Sequence, residues 1–230
     1  MSEEDEAFRR LWPVYRSEVR EATYPYPYGG HDVVLEEVWV RSGEPGEGVR
    51  VLDLSAGEGD LLSHFWAQGC LVTAMIHEGD QGLADRLMAR FPGVSVIRGE
   101  GAGAPLARGG EPCDEGGVAP LPPLHGECES LGSFDVVVWS YDLREVCDGA
   151  RFVEVVEEVF ARYIQGKKGV MVVGCVSFER EEERLKYEKD SDRKRALVFE
   201  EVKGALIARR LRVQYTQLYP CAGLYKIRRR

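Results

Sequence analysis

The sequence predicts an α/β protein whose doubly wound, mostly parallel sheet has seven strands and ends in an antiparallel β-hairpin. Three observations lead to this prediction. Short apolar runs alternate with amphipathic segments through the middle of the chain. A glycine-rich turn follows the first apolar run, and the C-terminal stretch alternates polar and apolar residues around a Pro-Cys-Ala-Gly turn. Continuous apolar runs are typical of buried parallel strands, whereas alternation is typical of hairpin strands.

The first 48 residues are expected to form an N-terminal helical cap with an aromatic loop. Apolar residues at helical spacing predict a helix over residues 4–22. Residues 23–30, Thr-Tyr-Pro-Tyr-Pro-Tyr-Gly-Gly, cannot form regular helix because prolines lack N–H donors and favour extended neighbours. Asp32 is a candidate cap for a second helix that ends near Gly43.

The central part of the chain reads as repeated strand–helix units. Spacing of this kind predicts right-handed βαβ crossovers in a parallel sheet. Residues 99–133 interrupt the rhythm with a Gly- and Pro-rich insertion that has no periodic apolar pattern. The predicted strands cover residues 49–54, 71–77, 94–98, 134–140 and 170–178, and the predicted helices cover 61–68, 81–91 and 152–164.

The C-terminal part is predicted to contain two helices and the hairpin. One charged helical stretch starts at Glu179, and another covers residues 196–208. Residues 211–219 and 224–228 alternate as hairpin strands around the turn at 220–223. With 230 residues, the chain is expected to form one domain over 1–230, carrying the cap at 1–48 and the insertion at 99–133.

Composition predicts a protein of the cytosol or the nucleus without a membrane segment. The chain is 44% hydrophobic and 30% charged, has no apolar run of membrane-spanning length, and starts with an acidic segment unlike a targeting peptide. Its six cysteines lack a CxxC pair and are expected to be reduced. Cys113, His125 and Cys128 offer three metal ligands without a clear fourth, so no metal site is predicted.

Charge is distributed unevenly along the chain, whose net charge is −9. Residues 163–230 hold 17 Lys or Arg against 9 Asp or Glu, while the first 162 residues hold 13 against 30. This polarity favours a nucleic-acid-facing surface, and solvated helix faces such as 179–188 are the alternative interpretation. The candidate basic residues are Lys167, Lys168, Arg193, Lys194, Arg195, Arg209, Arg210, Arg212, Arg228, Arg229 and Arg230.

The most informative segment is residues 49–60, Val-Arg-Val-Leu-Asp-Leu-Ser-Ala-Gly-Glu-Gly-Asp. It predicts a buried strand, a tight glycine turn and a helix start, an arrangement that binds ligands at the edge of open α/β sheets. A dinucleotide fingerprint fails because Leu62 stands where its third glycine belongs, which disfavours NAD. The alternative without a ligand is a purely structural turn between strand and helix.

The same segment resembles the first motif of class I S-adenosylmethionine-dependent methyltransferases, a pattern of the type D-x-G-x-G-x-G. Asp53, Gly57 and Gly59 match it, and Ser55 replaces its first glycine. The resemblance extends from about residue 49 to the C-terminus apart from the insertion, and it implies the Rossmann-like methyltransferase fold with S-adenosyl-L-methionine as cofactor. Asp53 and the turn are then expected at the methionine end of the cofactor.

The resemblance also implies roles for residues after the other strands. An acidic residue after the second strand holds the ribose in this family, but Ile76 occupies the usual place, so Glu78 is the first substitute and Asp80 the second. Glu100, with a small neighbour, is expected beside the adenine. The implied cofactor-binding residues are Asp53, Ser55, Ala56, Gly57, Gly59, Glu78, Glu100, Gly101 and Ser140.

Substrate-facing residues are expected at the end of the fourth strand, where this chain has Ser140-Tyr141-Asp142. Tyr141 and Asp142 are the catalytic candidates, although Asp142 suits a helix cap equally well. The resemblance therefore implies a methyltransferase, with a macromolecular acceptor, RNA or protein, favoured by the basic C-terminal third. A small-molecule acceptor and a catalytically inactive binding subunit are the alternatives, the latter indicated by Ser55 and Ile76.

Overall fold

The computed structural model describes residues 47–57, 59–77, 81–99, 132–140, 149–164, 166, 168–189, 197–219 and 222–230. The predicted helices and aromatic loop of residues 1–46, and residues 100–131 of the predicted insertion, lie outside this part of the chain. Within it, no helix is both long enough and apolar enough to cross a membrane.

Strands and helices alternate along the described chain as the sequence predicts. The strands are β1 (Arg50–Asp53), β2 (Leu71–His77), β3 (Ser95–Gly99), β4 (Val136–Ser140), β5 (Val170–Phe178), β6 (Leu197–Val198), β7 (Leu211–Tyr219) and β8 (Ala222–Arg229). The helices are α1 (Asp60–Ala67), α2 (Gln81–Arg90), α3 (Gly149–Arg162), α4 (Glu181–Lys189) and α5 (Phe199–Ala208).

The main sheet follows the order β3-β2-β1-β4-β5-β8-β7. Its first five strands are parallel, and β8 runs antiparallel to both β5 and β7. The predicted seven-stranded, mostly parallel sheet with a terminal hairpin is therefore confirmed. Parallel strands align their carboxyl ends at one edge of the sheet, and this edge carries the candidate site.

Two local predictions need correction. Residues 197 and 198 were expected in a helix, but they form β6, which pairs in parallel with Ser177 and Phe178 of β5. A β-branched or bulky apolar pair beside a buried strand gains more from pairing and packing than from continuing a helix. In the predicted turn at 220–223, Ala222 and Gly223 already belong to β8.

Both faces of the sheet are covered by helices, as a doubly wound fold requires. One core cluster joins α3 and α5 to side chains such as Leu52, Trp139 and Val173. The other joins α1 and α2 to side chains such as Val51 and Val138 on the opposite face. Because β1, β4 and β5 are buried on both faces, their sequences are continuous apolar runs rather than alternating ones.

Tyr215 of the C-terminal hairpin packs over Gly223 and contacts Ser177 of β5. Tyr215 pairs with Tyr225 across the two hairpin strands, and the rings lie 5.0 Å apart. A Cβ added at Gly223 would approach the Tyr215 ring at 2.3 Å and Ser177 Oγ at 2.5 Å. The missing side chain therefore lets the Tyr215 hydroxyl lie 3.3 Å from Ser177 Oγ.

We predict that Gly223→Ala lowers the free energy of unfolding by about 1–3 kcal/mol, as overpacked cores do. Urea denaturation measures this loss. Gly204→Ala is the matched control, because a Cβ at this position in α5 meets no described atom within 4 Å and alanine favours a helix. Adding Tyr215→Ala to Gly223→Ala should cost less than the two single losses combined; additive losses would contradict the packing argument.

Candidate functional site

The carboxyl end of β1 leads directly into the tight turn predicted from the sequence. Gly57 has φ 48° and Gly59 has φ 86°, both in the left-handed region that favours glycine. The Gly59 N–H donates to the Ala56 carbonyl at 2.8 Å and closes the turn. Helix α1 starts at the next residue, so its first N–H groups lie at the same edge as the end of β1.

The two turn glycines serve different purposes. A Cβ at Gly59 would approach Phe91 Cε2 at 2.7 Å and Leu87 Cδ2 at 2.8 Å, so its side-chain direction points into the packed α2 region. Among the described residues, a Cβ at Gly57 would meet only the Ser55 carbonyl, at 3.9 Å. Gly59 is therefore required by packing, and Gly57 is the glycine that leaves space for a ligand beside the backbone.

Asp53 is fully buried at the end of β1, where it pairs with Ala74 of β2 and Val138 of β4. Its Oδ1 accepts the Ser55 N–H at 3.0 Å and lies 3.4 Å from Ser55 Oγ. Its Oδ2 has no hydrogen-bond partner among the described residues. Burial raises the pKa of this carboxyl from 3.8 to about 6, and the Ser55 hydrogen bonds partly oppose the change.

A buried carboxylate oxygen without a donor is costly, because its lost hydration is not replaced. Ser55, which departs from the glycine pattern, is the residue that satisfies the other oxygen. Asp53 is thus held in place by Ser55 through Oδ1, while its Oδ2 is buried and has no donor among the described residues. Such an acceptor fits a cationic or N–H-bearing ligand group.

The parallel register brings the ends of four strands to this edge. His77 of β2 pairs with Gly99 of β3, and Ser140 ends β4 opposite Gly174 of β5. The predicted site residues that follow these strands lie outside the described part of the chain, and so does the side chain of Ser140; their roles stay predictions. Those following residues are Glu78, Asp80, Glu100, Gly101, Tyr141 and Asp142.

Ile76 departs from the family pattern in a way that the core explains. Its side chain is buried in the cluster with Ala74 and Val72 on the face covered by α1 and α2. A carboxylate at this position would be placed among apolar side chains. The core therefore explains why this position carries an apolar side chain.

Sequence reasoning missed a polar and aromatic cluster near the carboxyl end of β5. The rings of Phe199 and Tyr215 stack with centroids 4.9 Å apart, and the Tyr215 hydroxyl donates to Gln217 Oε1 at 2.5 Å. Ser177 is buried beneath them, three residues beyond the partner of Ser140. No local pattern indicates this cluster, because β5, α5 and β7 meet only through the hairpin register.

The described cysteines are buried thiols without a disulfide partner. Burial raises the pKa of Cys175 to about 12 and that of Cys70 to about 11, so both are protonated at neutral pH. Cys113, His125 and Cys128 lie outside the described residues, among which no group of three or more His, Cys, Asp or Glu side chains is placed to hold a metal ion.

No protein-family model matches the chain, and no curated protein matches it either. Its fold is similar to many solved structures. An O-methyltransferase family protein from Burkholderia thailandensis has a TM-score of 0.57 and 14% identity, with 96% of this chain and 60% of that protein covered. A DhpI–SAH complex has a TM-score of 0.55 and 17% identity, with 100% and 98% covered.

Human N-acetylserotonin methyltransferase, solved with SAM, has a TM-score of 0.58 and 12% identity, with 98% of this chain and 56% of that one covered. The chain thus spans less than two thirds of the length of two of these three neighbours. At these identities the comparison establishes architecture. Together with the strand order and the glycine turn, it shows that this chain has the class I S-adenosylmethionine-dependent methyltransferase fold.

Proposed function

We propose that the protein is an S-adenosylmethionine-dependent methyltransferase. The observation that carries this proposal is the combination of the space that the described residues leave open at Gly57 with the Oδ2 of buried Asp53, which has no partner among them, at the carboxyl edge of the sheet. The fold supports the proposal, because neighbours of this architecture were solved with SAM or SAH. The arrangement offers both a close backbone approach and an acceptor for a positively charged group.

In this proposal the turn of residues 55–59 would hold the methionine part of the cofactor, and Asp53 would accept a hydrogen bond from its ammonium group. A cationic donor would supply the hydrogen bond that Oδ2 lacks and would favour the charged form of the carboxyl. Glu78, or Asp80 in its place, holds the ribose hydroxyls. Glu100 and Gly101 contact the adenine.

Methyl transfer from S-adenosylmethionine requires the protein mainly to position the methyl donor and the acceptor. A nucleophile of the acceptor forms a bond to the methyl carbon in line with the carbon–sulfur bond, which breaks and leaves a neutral thioether. Alignment and exclusion of water supply most of the acceleration, and a base is needed only for a protonated acceptor. Tyr141 and Asp142 are the proposed groups for orienting or deprotonating that nucleophile.

The first candidate acceptor is a macromolecule, RNA or protein. Its support is the basic composition of residues 163–230. The second candidate is a small molecule, which the cluster of Phe199, Tyr215 and Ser177 near the carboxyl end of β5 favours, because stacked rings and hydroxyls suit a small planar ligand. A neighbour named for a small acceptor, N-acetylserotonin, supports the same candidate.

Calorimetric titration with S-adenosylmethionine tests the proposed function directly. Saturable binding at one site per chain supports the proposal. Absence of heat and of thermal stabilisation by the cofactor would favour the third candidate, an inactive subunit of the same fold. Ser55 and buried Ile76, which replace expected residues, are the observations behind that candidate.

We predict that Gly57→Asn abolishes cofactor binding in a folded protein, because asparagine tolerates the left-handed conformation while its side chain fills the open space. Gly48→Asn is the matched control: Gly48 also has a positive φ of 75°, and no atom of the described residues lies within 4 Å of an added Cβ, but Gly48 precedes β1 at the opposite edge. The Gly48→Asn variant should retain its affinity for S-adenosylmethionine. Calorimetry and circular dichroism measure both properties.

Gly59→Ala is expected to impair the protein through its folding stability rather than through cofactor binding. Its Cβ would overlap Phe91 and Leu87, so the loss appears first as a lower free energy of unfolding, by about 1–3 kcal/mol. Thermal unfolding without cofactor separates the two glycines. Equal destabilisation by Gly57→Asn and Gly59→Ala would contradict their assigned roles.

The pH dependence of Asp53 gives another prediction. Its pKa is higher in the folded protein than the ordinary 3.8, so the folded state holds the proton more tightly and stability without cofactor falls as pH rises from 3.8 to about 6. The difference corresponds to about 3 kcal/mol. Asp53→Asn should remove this fall, as measured by urea unfolding across the pH range.

Cofactor affinity should change with pH in the opposite direction. Protonation of Asp53 removes the acceptor for the ammonium group, so wild-type affinity is expected to weaken as pH falls through about 6. Asp53→Asn should bind weakly at all of these pH values. Wild-type affinity that does not change between pH 5 and pH 7 would separate Asp53 from the ligand.

Methyl-labelled S-adenosylmethionine identifies the acceptor class. The protein is incubated with total RNA, with a protein extract and with the small-molecule filtrate of the same cells. Label in RNA or protein supports the first candidate, and label confined to the filtrate supports the second. Asp53→Asn serves as the control for transfer that does not depend on the site.

A further inference from the structure

We propose that strand β7 pairs with β7 of a second copy of this chain, in antiparallel orientation about a two-fold axis at Val213. The pairing joins the two sheets into one and packs α5 of each copy against α5 of the other. It concerns assembly alone, so it stands whether or not the chain binds S-adenosylmethionine.

Strand β7 is an edge strand in the part of the chain that the structure describes. It ends the strand order of the main sheet and pairs there with β8 alone. Proteins usually protect such a strand with prolines, several charges or a very short length. β7 is nine residues long, contains no proline and carries one charged side chain, that of Arg212. A strand of this kind is suited to pairing with another strand.

The hairpin register determines which backbone groups of β7 point away from β8. The Arg230 N–H donates to the Arg210 carbonyl at 3.0 Å, so these two residues form a hydrogen-bonded pair. Hydrogen-bonded and non-hydrogen-bonded pairs alternate along antiparallel strands. The backbone N–H and C=O groups of Leu211, Val213 and Tyr215 are therefore directed away from β8.

A two-fold axis at Val213 matches these outward groups with their own copies. Val213 then lies opposite Val213 of the second copy, and Leu211 lies opposite Tyr215 of the second copy. Each of these pairs exchanges two bonds, which gives about six backbone hydrogen bonds between the copies. Val213 and Tyr215 are half-buried beside the core that α5 covers, so pairing would also cover their remaining exposed surface.

Helix α5 lies over both strands of the hairpin. Phe199 at its start stacks on Tyr215 of β7 with ring centroids 4.9 Å apart, and it meets Tyr225 of β8 at 6.1 Å. In the paired sheets, the axes of α5 and its copy are then two strand spacings apart, which is about 10 Å. Helices pack against each other at about 8–10 Å. The pairing of β7 therefore brings the two α5 helices into contact.

The side of α5 turned away from α3 is available for this contact. On the side towards α3, Arg209 forms an ion pair with Glu157 at 2.5 Å. Glu200, Lys203 and Ile207 recur at helical spacing on the other side, and all three are exposed. Ile207 is an apolar side chain that is 37% exposed. The second copy would remove this apolar surface from water.

The two ends of α5 carry opposite charges. Glu200 and Glu201 lie in its first turn, and Arg209 and Arg210 follow its last residue. The two-fold axis makes the helices antiparallel, so the acidic start of one meets the basic end of the other, and their dipoles oppose each other. Glu200 of one copy then lies near Arg210 of the other. Such self-complementarity is what a closed two-fold interface requires.

Pairing through β7 leaves the candidate functional site uncovered. Strand β1, which carries Asp53, is separated from β7 by β4, β5 and β8. The axis is perpendicular to the sheet, so the carboxyl edges of the two copies face in opposite directions. Variants that disrupt the pairing are therefore expected to bind cofactor as the wild type does.

Sedimentation velocity of the full chain over a micromolar concentration range measures the assembly. The wild-type protein should sediment as a dimer, with twice the mass of one chain. Val213→Pro removes the N–H at the axis and leaves the ladder to β8 intact, so it should raise the dimer dissociation constant about thirtyfold, as two lost hydrogen bonds would. Circular dichroism checks that the variant remains folded.

A charge exchange tests the orientation without changing β7. Glu200→Lys places two basic side chains together across the axis, and Arg210→Glu places two acidic ones together, so each should raise the dissociation constant about tenfold. An equal mixture of the two variants should form a mixed dimer, because opposite charges then meet at both contacts. Glu201→Lys is the matched control: it makes the same charge change at an exposed neighbour on a different side of α5, and it should leave the dissociation constant unchanged.

Four results would overturn the proposal. A wild-type protein that stays monomeric over this range would leave β7 to a strand of some other protein. A dimer that withstands Val213→Pro and both charge variants would have its interface elsewhere. A mass that grows beyond the dimer would show that the contact does not close. Equal weakening by Glu201→Lys would indicate a response to net charge alone.

Discussion

The close packing of the Gly59 backbone against Leu87 and Phe91 is the constraint on which the candidate site depends. It brings the start of α1 against the end of α2, so the chain must turn within a few residues of the end of β1. That turn buries Asp53, leaves Gly57 beside open space and directs the first N–H groups of α1 to the carboxyl edge. One glycine required by helix packing therefore fixes the turn in which another glycine borders space that the described residues leave open.

In the protein without ligand, the buried carboxylate of Asp53 is energetically unfavourable. Its burial raises the pKa and leaves Oδ2 without a donor, whereas Ser55 satisfies only Oδ1. The apolar strands on either side provide no hydrogen bond in return. In the proposed function the cofactor supplies the missing donor, so part of its binding free energy comes from correcting an arrangement that is unfavourable in the free protein.

The carboxyl and amino edges of the sheet differ in the polar and charged side chains that they carry. The carboxyl edge combines a buried carboxylate with a cluster of stacked rings and hydroxyls around Ser177. At the amino end of β5, Arg228 pairs with Val170 of β5 and with Arg212 across the hairpin.

Local sequence determined the strands and the turn, because each follows from the period of its own residues. The apolar runs at Leu71–His77 and Val170–Phe178 had their bounds predicted correctly, and the glycine turn lies where the spacing predicted it. Tertiary structure alone separated Gly57 from Gly59, since the difference is the neighbour that a Cβ would meet.

The tertiary structure likewise turned Leu197–Val198 from predicted helix into a strand beside β5, because pairing and burial outweigh helix propensity. It placed Tyr215 over Gly223 through a register that no local pattern encodes. It also divided the basic residues of the C-terminal part, giving Arg209 an acidic partner and placing Arg212 opposite Arg228. Composition records how many charges a segment has, whereas only the fold decides which side chains lie beside one another.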